Sequence, residues 1–173
     1  MQKSTADRRL WGALLALMAI FIWVIHDQFE QRIIEKGDRA PDFVITTESG
    51  KKISRSDFGG KLLVLNFWAT WCPPCVEEMP SLNEFASQVR ADGIVVLAVS
   101  IDKNEKAYKN FVQQARLTFE TGLDKEANIP TDYGTFKWPE TYVIDRQGKV
   151  VEKMIGPKTW TDPQIANAVK AHL

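Results

Sequence analysis

The sequence predicts an α/β domain in which a mixed central β-sheet is flanked by helices. Two short apolar runs have the length of strands that are buried on both faces, and a segment with helical spacing of apolar residues follows each run. These pairs are 62–67 with 74–90, and 94–99 with 105–116. Two further strands, at 141–144 and 150–155, flank a short turn, which is typical of an antiparallel hairpin. Strands linked by helices and then a hairpin indicate a layered domain with a mixed sheet.

The remaining elements follow from local patterns along the chain. Residues 43–45 and 51–53 flank a turn and are predicted to pair as a small hairpin. Pro80 is expected to kink the first helix, because proline has no amide hydrogen and its ring clashes with the preceding turn. A last helix is predicted over 163–173, where Asp162 can cap the N-terminus and a proline occupies the first helical position.

The N-terminal segment predicts a membrane anchor. Residues 10–25 carry no charge, and Arg8 and Arg9 precede them. As a helix they would extend about 24 Å, somewhat less than a hydrocarbon core of roughly 30 Å. Two alternatives remain open. A cleaved signal peptide would need a small-residue cleavage pattern, which the residues after Val24 do not offer, and a buried core helix would not explain an apolar run behind two arginines.

These patterns divide the chain into a cytoplasmic N-terminus (1–9), a transmembrane anchor (10–26), a charged linker (27–36) and the domain (37–173). The charges of the 22 basic and 22 acidic residues cancel. The sequence contains no basic stripe with interleaved aromatic residues, so it does not predict nucleic acid as a partner. The charge bias around the anchor predicts a single-pass protein with its N-terminus in the cytoplasm. In a bacterium with two membranes, we expect the anchor to lie in the inner, cytoplasmic membrane. The domain would lie in the periplasm or another extracytoplasmic space.

Cys72 and Cys75 are the only cysteines, and they lie between a predicted strand and a predicted helix. A disulfide across so small a loop stabilises little, and zinc would need further ligands, whereas the only histidines are His26 and His172. A helix N-terminus stabilises a cysteine thiolate. We therefore expect a redox-active pair that needs no cofactor and no metal, in which Cys75 attacks the mixed disulfide formed by Cys72.

Three nearby residues are candidates for supporting this chemistry. Pro73 and Pro74 fix φ at helix positions whose amide hydrogens have little intrahelical role, and so hold the two sulfurs at bonding distance. Glu78 lies one helical turn after Cys75. A partly buried carboxylate there could relay a proton to or from Cys75; the alternative is a solvated surface glutamate.

Two tryptophans and a proline are candidates for substrate binding, together with Pro73 and Pro74. Trp71 and Trp138 could flank the cysteines as an apolar docking surface, although each could equally belong to the core. Pro139 precedes a predicted strand, which suits a residue that cannot donate to a central ladder. Its bond to Trp138 could be cis, or it could be an ordinary trans turn proline.

At this point the motifs resemble the thioredoxin superfamily. The runs GDRAPDF, FWATWCPPC and WPETYVIDRQGKVVEKMIG are similar to the membrane-tethered TlpA/ResA/CcmG-like branch, over residues 37–173. The resemblance implies a thioredoxin fold, an exposed attacking Cys72 and a resolving Cys75. It also implies that Pro139 is a cis-proline that presents backbone to an extended substrate segment. The acidic position often found near the active site of this branch would be Glu78.

One position departs from plain thioredoxin. Thioredoxins carry a buried aspartate where this chain has Asn66. Asparagine cannot relay a proton, so that role would fall to Glu78 or to water. The opening GDRAPDF also occurs in peroxiredoxins, but their cysteine lies in a different local motif.

The resemblance further implies a function. Such relatives keep selected protein thiols reduced in an oxidising compartment, with apocytochrome c as a common substrate and a transmembrane protein as electron donor. We therefore expect a protein disulfide reductase on the periplasmic side of the membrane, acting in cytochrome c maturation. The motif does not fix the direction of transfer. A disulfide oxidase or isomerase, a thiol peroxidase, and a non-catalytic binding module or chaperone remain alternatives.

Overall fold

The structure is a computed structural model that describes residues 5–29 and 33–173. Its contacts separate two units, one containing helix α1 (Thr5–Phe29) and one, Ile33–Leu173, containing all other elements. The elements of the second unit are β1 (Val44–Thr46), β2 (Lys52–Ser54), β3 (Leu62–Trp68), α2 (Pro73–Val89), β4 (Ile94–Ser100), α3 (Glu105–Ala115), β5 (Glu120–Leu123), α4 (Asn128–Asp132), β6 (Glu140–Ile144), β7 (Val150–Ile155) and α5 (Pro163–Lys170).

Helix α1 contains the apolar segment of the N-terminus. Its side chains at Leu14, Leu17 and Phe21 are each more than half exposed. Among the described residues, we find no helix that combines the length and the hydropathy needed to cross a membrane, so the predicted span over 10–26 is not confirmed. Parts of the predicted N-terminus and linker, residues 1–4 and 30–32, lie outside the described residues.

The compact unit of the structure begins at Ile33, inside the predicted linker, whereas the domain was predicted to begin at Gly37. Ile34 is only 4% exposed, and its amide donates to the Tyr133 carbonyl at 3.1 Å. Lys153 donates to the Ile34 carbonyl and to the Glu35 carboxylate, both at 2.9 Å. The charges around Ile34 suggested a solvated linker, but a single apolar side chain with paired neighbours is enough to fix this segment on the domain.

The central sheet has the strand order β5-β4-β3-β6-β7. Strand β3 pairs with β4 in parallel and with β6 antiparallel, so that Leu65 lies between Leu97 and Tyr142. Every residue of β3 is buried, as predicted for a strand covered on both faces. The mixed sheet and the β6–β7 hairpin are confirmed, while the short elements β5 and α4 were not predicted.

Each face of the sheet carries its own apolar core. On one face, Val64 and Trp68 of β3 pack with α2 through residues such as Leu82 and Phe85. On the other face, Phe67 contacts the rings of Tyr133 and Tyr142, with centroid distances of 5.5 and 5.9 Å. The alternation of β3 side chains thus places helix α2, and with it both cysteines, on one defined face.

Local capping signals explain where the helices begin. The Asp162 side chain accepts from the Gln164 amide at 2.8 Å, which confirms the predicted cap of α5. Helix α3 begins with an equivalent contact, from the Ala107 amide to the Asn104 side chain. Helix α2 runs unbroken through Pro80, which is exposed.

The segment that precedes β3 contacts both edges of the sheet. At one edge, the Gly37 amide donates to the Val150 carbonyl at 2.8 Å, at the start of β7. At the other edge, the predicted β1–β2 hairpin lies beside β5, where the Glu48 amide donates to the Thr121 carbonyl at 2.8 Å. Residues 37–48 therefore touch both edge strands.

Candidate functional site: the disulfide at the start of helix α2

Cys72 and Cys75 form a disulfide at the N-terminus of α2, with a Cα–Cα distance of 5.3 Å. Cys72 is the N-cap residue of the helix, and its Sγ accepts from the Cys75 amide at 3.3 Å. Cys75 is fully buried, whereas Cys72 is 6% exposed. A sulfur at this position faces unpaired amide hydrogens and the positive end of the helix dipole, both of which stabilise a thiolate. The geometry agrees with an attacking Cys72 and a resolving Cys75.

The residues around the disulfide differ in exposure. Pro73 occupies the first helical position and is exposed, while Pro74 is half-buried. Trp71 is 60% exposed, so it belongs to the surface and not to the core. Trp138 is half-buried and packs against the cores on both faces of the sheet. Of the two predicted docking tryptophans, only Trp71 is freely available to a partner.

Pro139 is buried immediately before β6, and the Trp138–Pro139 peptide bond is cis. The cis form implied by the resemblance is thus present. However, the Pro139 carbonyl already accepts from the Gly156 amide at 2.9 Å. This bond uses one of the two lone pairs of the carbonyl oxygen and leaves the other for a second donor.

Glu78 is a buried carboxylate and not a solvated one, because it is only 3% exposed. Its Oε1 accepts from the Asn66 side-chain amide at 2.8 Å, and its Oε2 accepts from the Lys158 backbone amide at 3.0 Å. It lies one turn after Cys75 on the same helix. The structure therefore favours the interpretation of Glu78 as a proton-relay candidate.

Burial controls the protonation of Glu78. Loss of solvation raises its pKa above the ordinary value of 4.5, and hydrogen bonds from Lys158 and Asn66 partly oppose this rise. The Trp160 indole N–H lies near enough to lower the same pKa, although its geometry falls short of a hydrogen bond. A carboxyl group that keeps its proton to higher pH is better matched to exchange with a thiol.

Several contacts of this site were not predicted from the sequence. Asn66 donates to Glu78 and also to Thr141 at 2.9 Å, which links β3, α2 and β6. The Asn66 Oδ1 atom has no partner among the described residues. Lys158 and Trp160 reach Glu78 from the loop before α5. Of these residues, only Asn66 could have been noticed in the sequence, because it is a polar residue within an apolar run predicted to be a buried strand.

Comparison with known proteins supplies the family. The sequence model of the AhpC/TSA family matches residues 36–153. The chain belongs to this family. It is 42% identical over 126 residues to the thiol-disulfide oxidoreductase ResA of Bacillus thuringiensis subsp. konkukian (strain 97-27), which is 73% of each chain. It is 36% identical over 156 residues to the thioredoxin-like protein YneN of Bacillus subtilis (strain 168), covering 87% of this chain and 91% of YneN.

Solved structures show the same fold. A thiol:disulfide interchange protein DsbE from Chlorobium tepidum superposes with a TM-score of 0.75 at 31% identity, covering 80% of this chain and 98% of that one. StoA from Bacillus subtilis gives 0.64 at 26% identity, over 76% and 96% of the two chains. These relatives confirm the thioredoxin-like fold and the resemblance to the ResA-like branch. The chain is a thiol-disulfide oxidoreductase.

Within the described part of the chain, no group of His, Cys, Asp and Glu side chains is arranged to hold a metal ion. A thiolate at the start of α2, a buried second thiol and a buried carboxyl group one turn later are sufficient for thiol–disulfide exchange.

Proposed function

We propose that the reduced Cys72–Cys75 pair reduces disulfides of protein substrates. The Cys72 thiolate attacks one substrate sulfur, the substrate S–S bond breaks, and the leaving thiolate takes up a proton. Cys75 then loses its proton and attacks Cys72 Sγ, which releases the second substrate thiolate. Two electrons pass to the substrate, and the Cys72–Cys75 disulfide remains.

The observation that carries this proposal is the unequal placement of the two sulfurs. Cys72, at the helix N-terminus, keeps 6% of its surface exposed, whereas Cys75, which is disulfide-bonded to it, is fully buried. A substrate disulfide can reach Cys72 but not Cys75, so the order of attack follows from access. Glu78 lies one turn from the buried thiol and is the group we propose to accept its proton.

The substrate and the electron donor are further parts of the proposal. The resemblance to the ResA/CcmG-like branch supports the disulfide of a haem-binding CxxCH segment of apocytochrome c as substrate, and hence a role in cytochrome c maturation. Because each turnover leaves the site oxidised, a dithiol donor must reduce it again. We propose a transmembrane protein that carries electrons from the cytoplasm.

We also propose that the protein acts in the periplasm or an equivalent extracytoplasmic space, attached to the inner membrane by its N-terminal segment. The support is the uncharged sequence 10–25 behind Arg8 and Arg9, together with exposed apolar side chains on α1. Membrane fractionation followed by an alkaline carbonate wash tests this part. Release of the full chain by the wash would contradict attachment by a spanning helix.

The reduction potential of the full chain tests the direction of transfer. The protein is equilibrated in dithiothreitol or glutathione buffers, and the fraction of free thiol is measured by alkylation. A value near that of thioredoxin, about −270 mV, supports a reductase. A value near −120 mV would instead make the protein a disulfide donor, and the absence of any reversible couple would contradict thiol–disulfide exchange altogether.

A further inference from the structure

A cleft of about 650 Å³ lies beside the loop that leads into Cys72. Thr70 and Trp71 form one wall, and the segment 101–104 after β4 forms another. Because Trp71 is adjacent to Cys72 and 60% exposed, a polypeptide whose disulfide reaches Cys72 would have one flank in contact with this cleft. The relative position of the two walls is therefore relevant to how a substrate docks.

A single buried carboxylate connects the two walls. Asp102 is 1% exposed, and its Oδ2 accepts from the Thr70 backbone amide at 2.9 Å. Its Oδ1 accepts from the Thr70 hydroxyl at 2.6 Å. The Ser100 hydroxyl donates to Oδ2 at 2.6 Å, so both oxygens are occupied. Hydrogen bonds to a charged acceptor are stronger than those between neutral groups.

Backbone pairing between the two walls ends just before this carboxylate. The parallel register of β3 and β4 ends at Trp68 and Ser100, followed by one more bond from the Ile101 amide to the Trp68 carbonyl at 3.0 Å. Inside the loop itself, the Cys72 amide donates to the Ala69 carbonyl at 3.2 Å. Beyond the sheet, the loop is thus attached to the segment after β4 through the side chain of Asp102.

We propose that Asp102 is a positioning residue, whose carboxylate fixes Thr70 and thereby the Trp71 wall of the cleft for docking of a protein substrate. This inference rests on the proposed function only in taking a polypeptide as the substrate. Asp102 contacts neither cysteine, and the Cys72 sulfur is held by the first turn of α2, where it accepts from the Cys75 amide. Loss of the Asp102–Thr70 hydrogen bonds should impair docking of a polypeptide substrate and leave the intrinsic reactivity of Cys72 unchanged.

Two disulfide substrates of different size distinguish docking from chemistry. One is a synthetic peptide with a disulfide across a CxxCH segment, and the other is 5,5′-dithiobis(2-nitrobenzoate), which has no polypeptide flank. Stopped-flow measurement gives the rate constant of the reduced full-length protein with each substrate. The oxidised protein is also mixed with the reduced peptide and with dithiothreitol, a small dithiol without a polypeptide flank, so that the same ratio is measured in the reverse direction.

For Asp102→Ala, we expect the peptide rate constant to fall about tenfold relative to the small-disulfide rate constant, the size expected for loss of a hydrogen bond to a charged group. Asp102→Asn should restore the wild-type ratio of the peptide rate constant to the small-disulfide rate constant. Its amide oxygen can accept from the Thr70 amide, and its nitrogen can donate to the Thr70 hydroxyl. A purely structural role would lower both rate constants together.

A matched control is available in Asp57, whose carboxylate accepts from the backbone amide of Ser54 at 2.6 Å and from its hydroxyl at 2.8 Å. Asp57→Ala removes the same pair of hydrogen bonds, to a backbone amide and a hydroxyl of one residue, outside the cleft lining. It should leave the ratio unchanged. If Asp102→Ala does not fold, as judged by circular dichroism, Thr70→Val and Thr70→Ser replace it. Valine should lower the ratio because it lacks the hydroxyl, and serine should keep it.

The outcomes separate the two proposals. An unchanged ratio in Asp102→Ala, or in Thr70→Val if that variant is used, overturns the positioning role, and so does an equal fall in Asp57→Ala. If the wild type oxidises the peptide but does not reduce it, the reductase proposal fails, while the ratio in the reverse direction still tests Asp102.

Discussion

Replacing Glu78 with glutamine tests the proton-relay role most directly. The substitution keeps the size of the side chain and removes its ability to exchange a proton. The hydrogen bonds can be kept as well. The glutamine oxygen can accept from the Lys158 amide. Its nitrogen can donate to the Asn66 Oδ1 once the Asn66 amide group flips by 180°, because Nδ2 is the atom that faces Glu78 Oε1 in the wild type.

The expected effect is confined to the step in which Cys75 attacks. Cys75 is fully buried, so bulk water is poorly placed to remove its proton. General acid–base groups contribute about 10²–10⁴-fold to a rate. We expect about a hundredfold slowing, at the low end of that range, because the thiolate that leaves the substrate can itself accept a proton. The attack by Cys72 should change little, because this sulfur is already stabilised by the start of α2.

Single-turnover kinetics separate the two steps. Cys75→Ser stops the reaction at the mixed disulfide, so its formation rate reports only on Cys72. Glu78→Gln is measured both alone and combined with Cys75→Ser, using the peptide disulfide. The relay role would be refuted if Glu78→Gln slowed mixed-disulfide formation as much as its resolution, or if it slowed neither step.

The same substitution has a consequence for stability. Because the pKa of Glu78 is raised in the folded protein, the folded state binds its proton more tightly than the unfolded state. The resulting stabilisation is complete below the unfolded value of about 4.5 and is lost as the pH rises through the folded pKa. The free energy of unfolding of the wild type should therefore fall relative to Glu78→Gln over this window, by about 1.4 kcal/mol per pH unit between the two pKa values. Urea unfolding at several pH values measures it, and a constant difference would contradict the raised pKa.

Three further substitutions test other parts of the domain by urea unfolding. Lys153→Met should lower the free energy of unfolding by about 3–5 kcal/mol, because it leaves the fully buried Glu140 carboxylate, 3.3 Å from Lys153, without a cation; adding Glu140→Gln should recover part of the loss. Gly122→Ala should cost about 1–3 kcal/mol, because a Cβ would lie 2.6 Å from Ile45 Cδ1 and 3.1 Å from the Thr46 carbonyl oxygen; an unchanged stability would show that the hairpin moves away from β5 freely. Asp162→Ala should cost about 1 kcal/mol through loss of the α5 cap, and Asp162→Asn should cost much less.

Elements with a strong local pattern could be predicted from the sequence. The apolar runs that became β3 and β4 are long enough to be unambiguous, and the cap at Asp162 is a signal carried by adjacent residues. Strand β5 and helix α4 span only four and five residues. Strand β5 contains a glycine and no alternation, so its structure depends on its pairing with β4 rather than on its own sequence.

In the candidate site, too, local features could be predicted from the sequence, whereas contacts between different elements could not. The cysteines and their position at a helix start follow from sequence-local features. Contacts such as those of Asn66 with Glu78, or of Asp102 with Thr70, join residues on different elements. They depend on strand register and on the rotation of α2, which no local pattern encodes. Ile34 was missed for a related reason, since its burial is created by Tyr133 and Lys153 far along the chain.

The contact of residues 37–48 with both sheet edges has a consequence for how the protein meets other polypeptides. An open edge strand is a template onto which another chain can add a strand, either as a ligand or as the start of an aggregate. Because one continuous segment occupies part of each edge, it restricts lateral strand addition, and a partner can more readily approach the ends of the strands, where the disulfide lies. Ala40, Phe43 and Ile45 of this segment are also buried in one apolar core. Its detachment would therefore uncover both edges and open that core in the same step, and we expect self-association to accompany it.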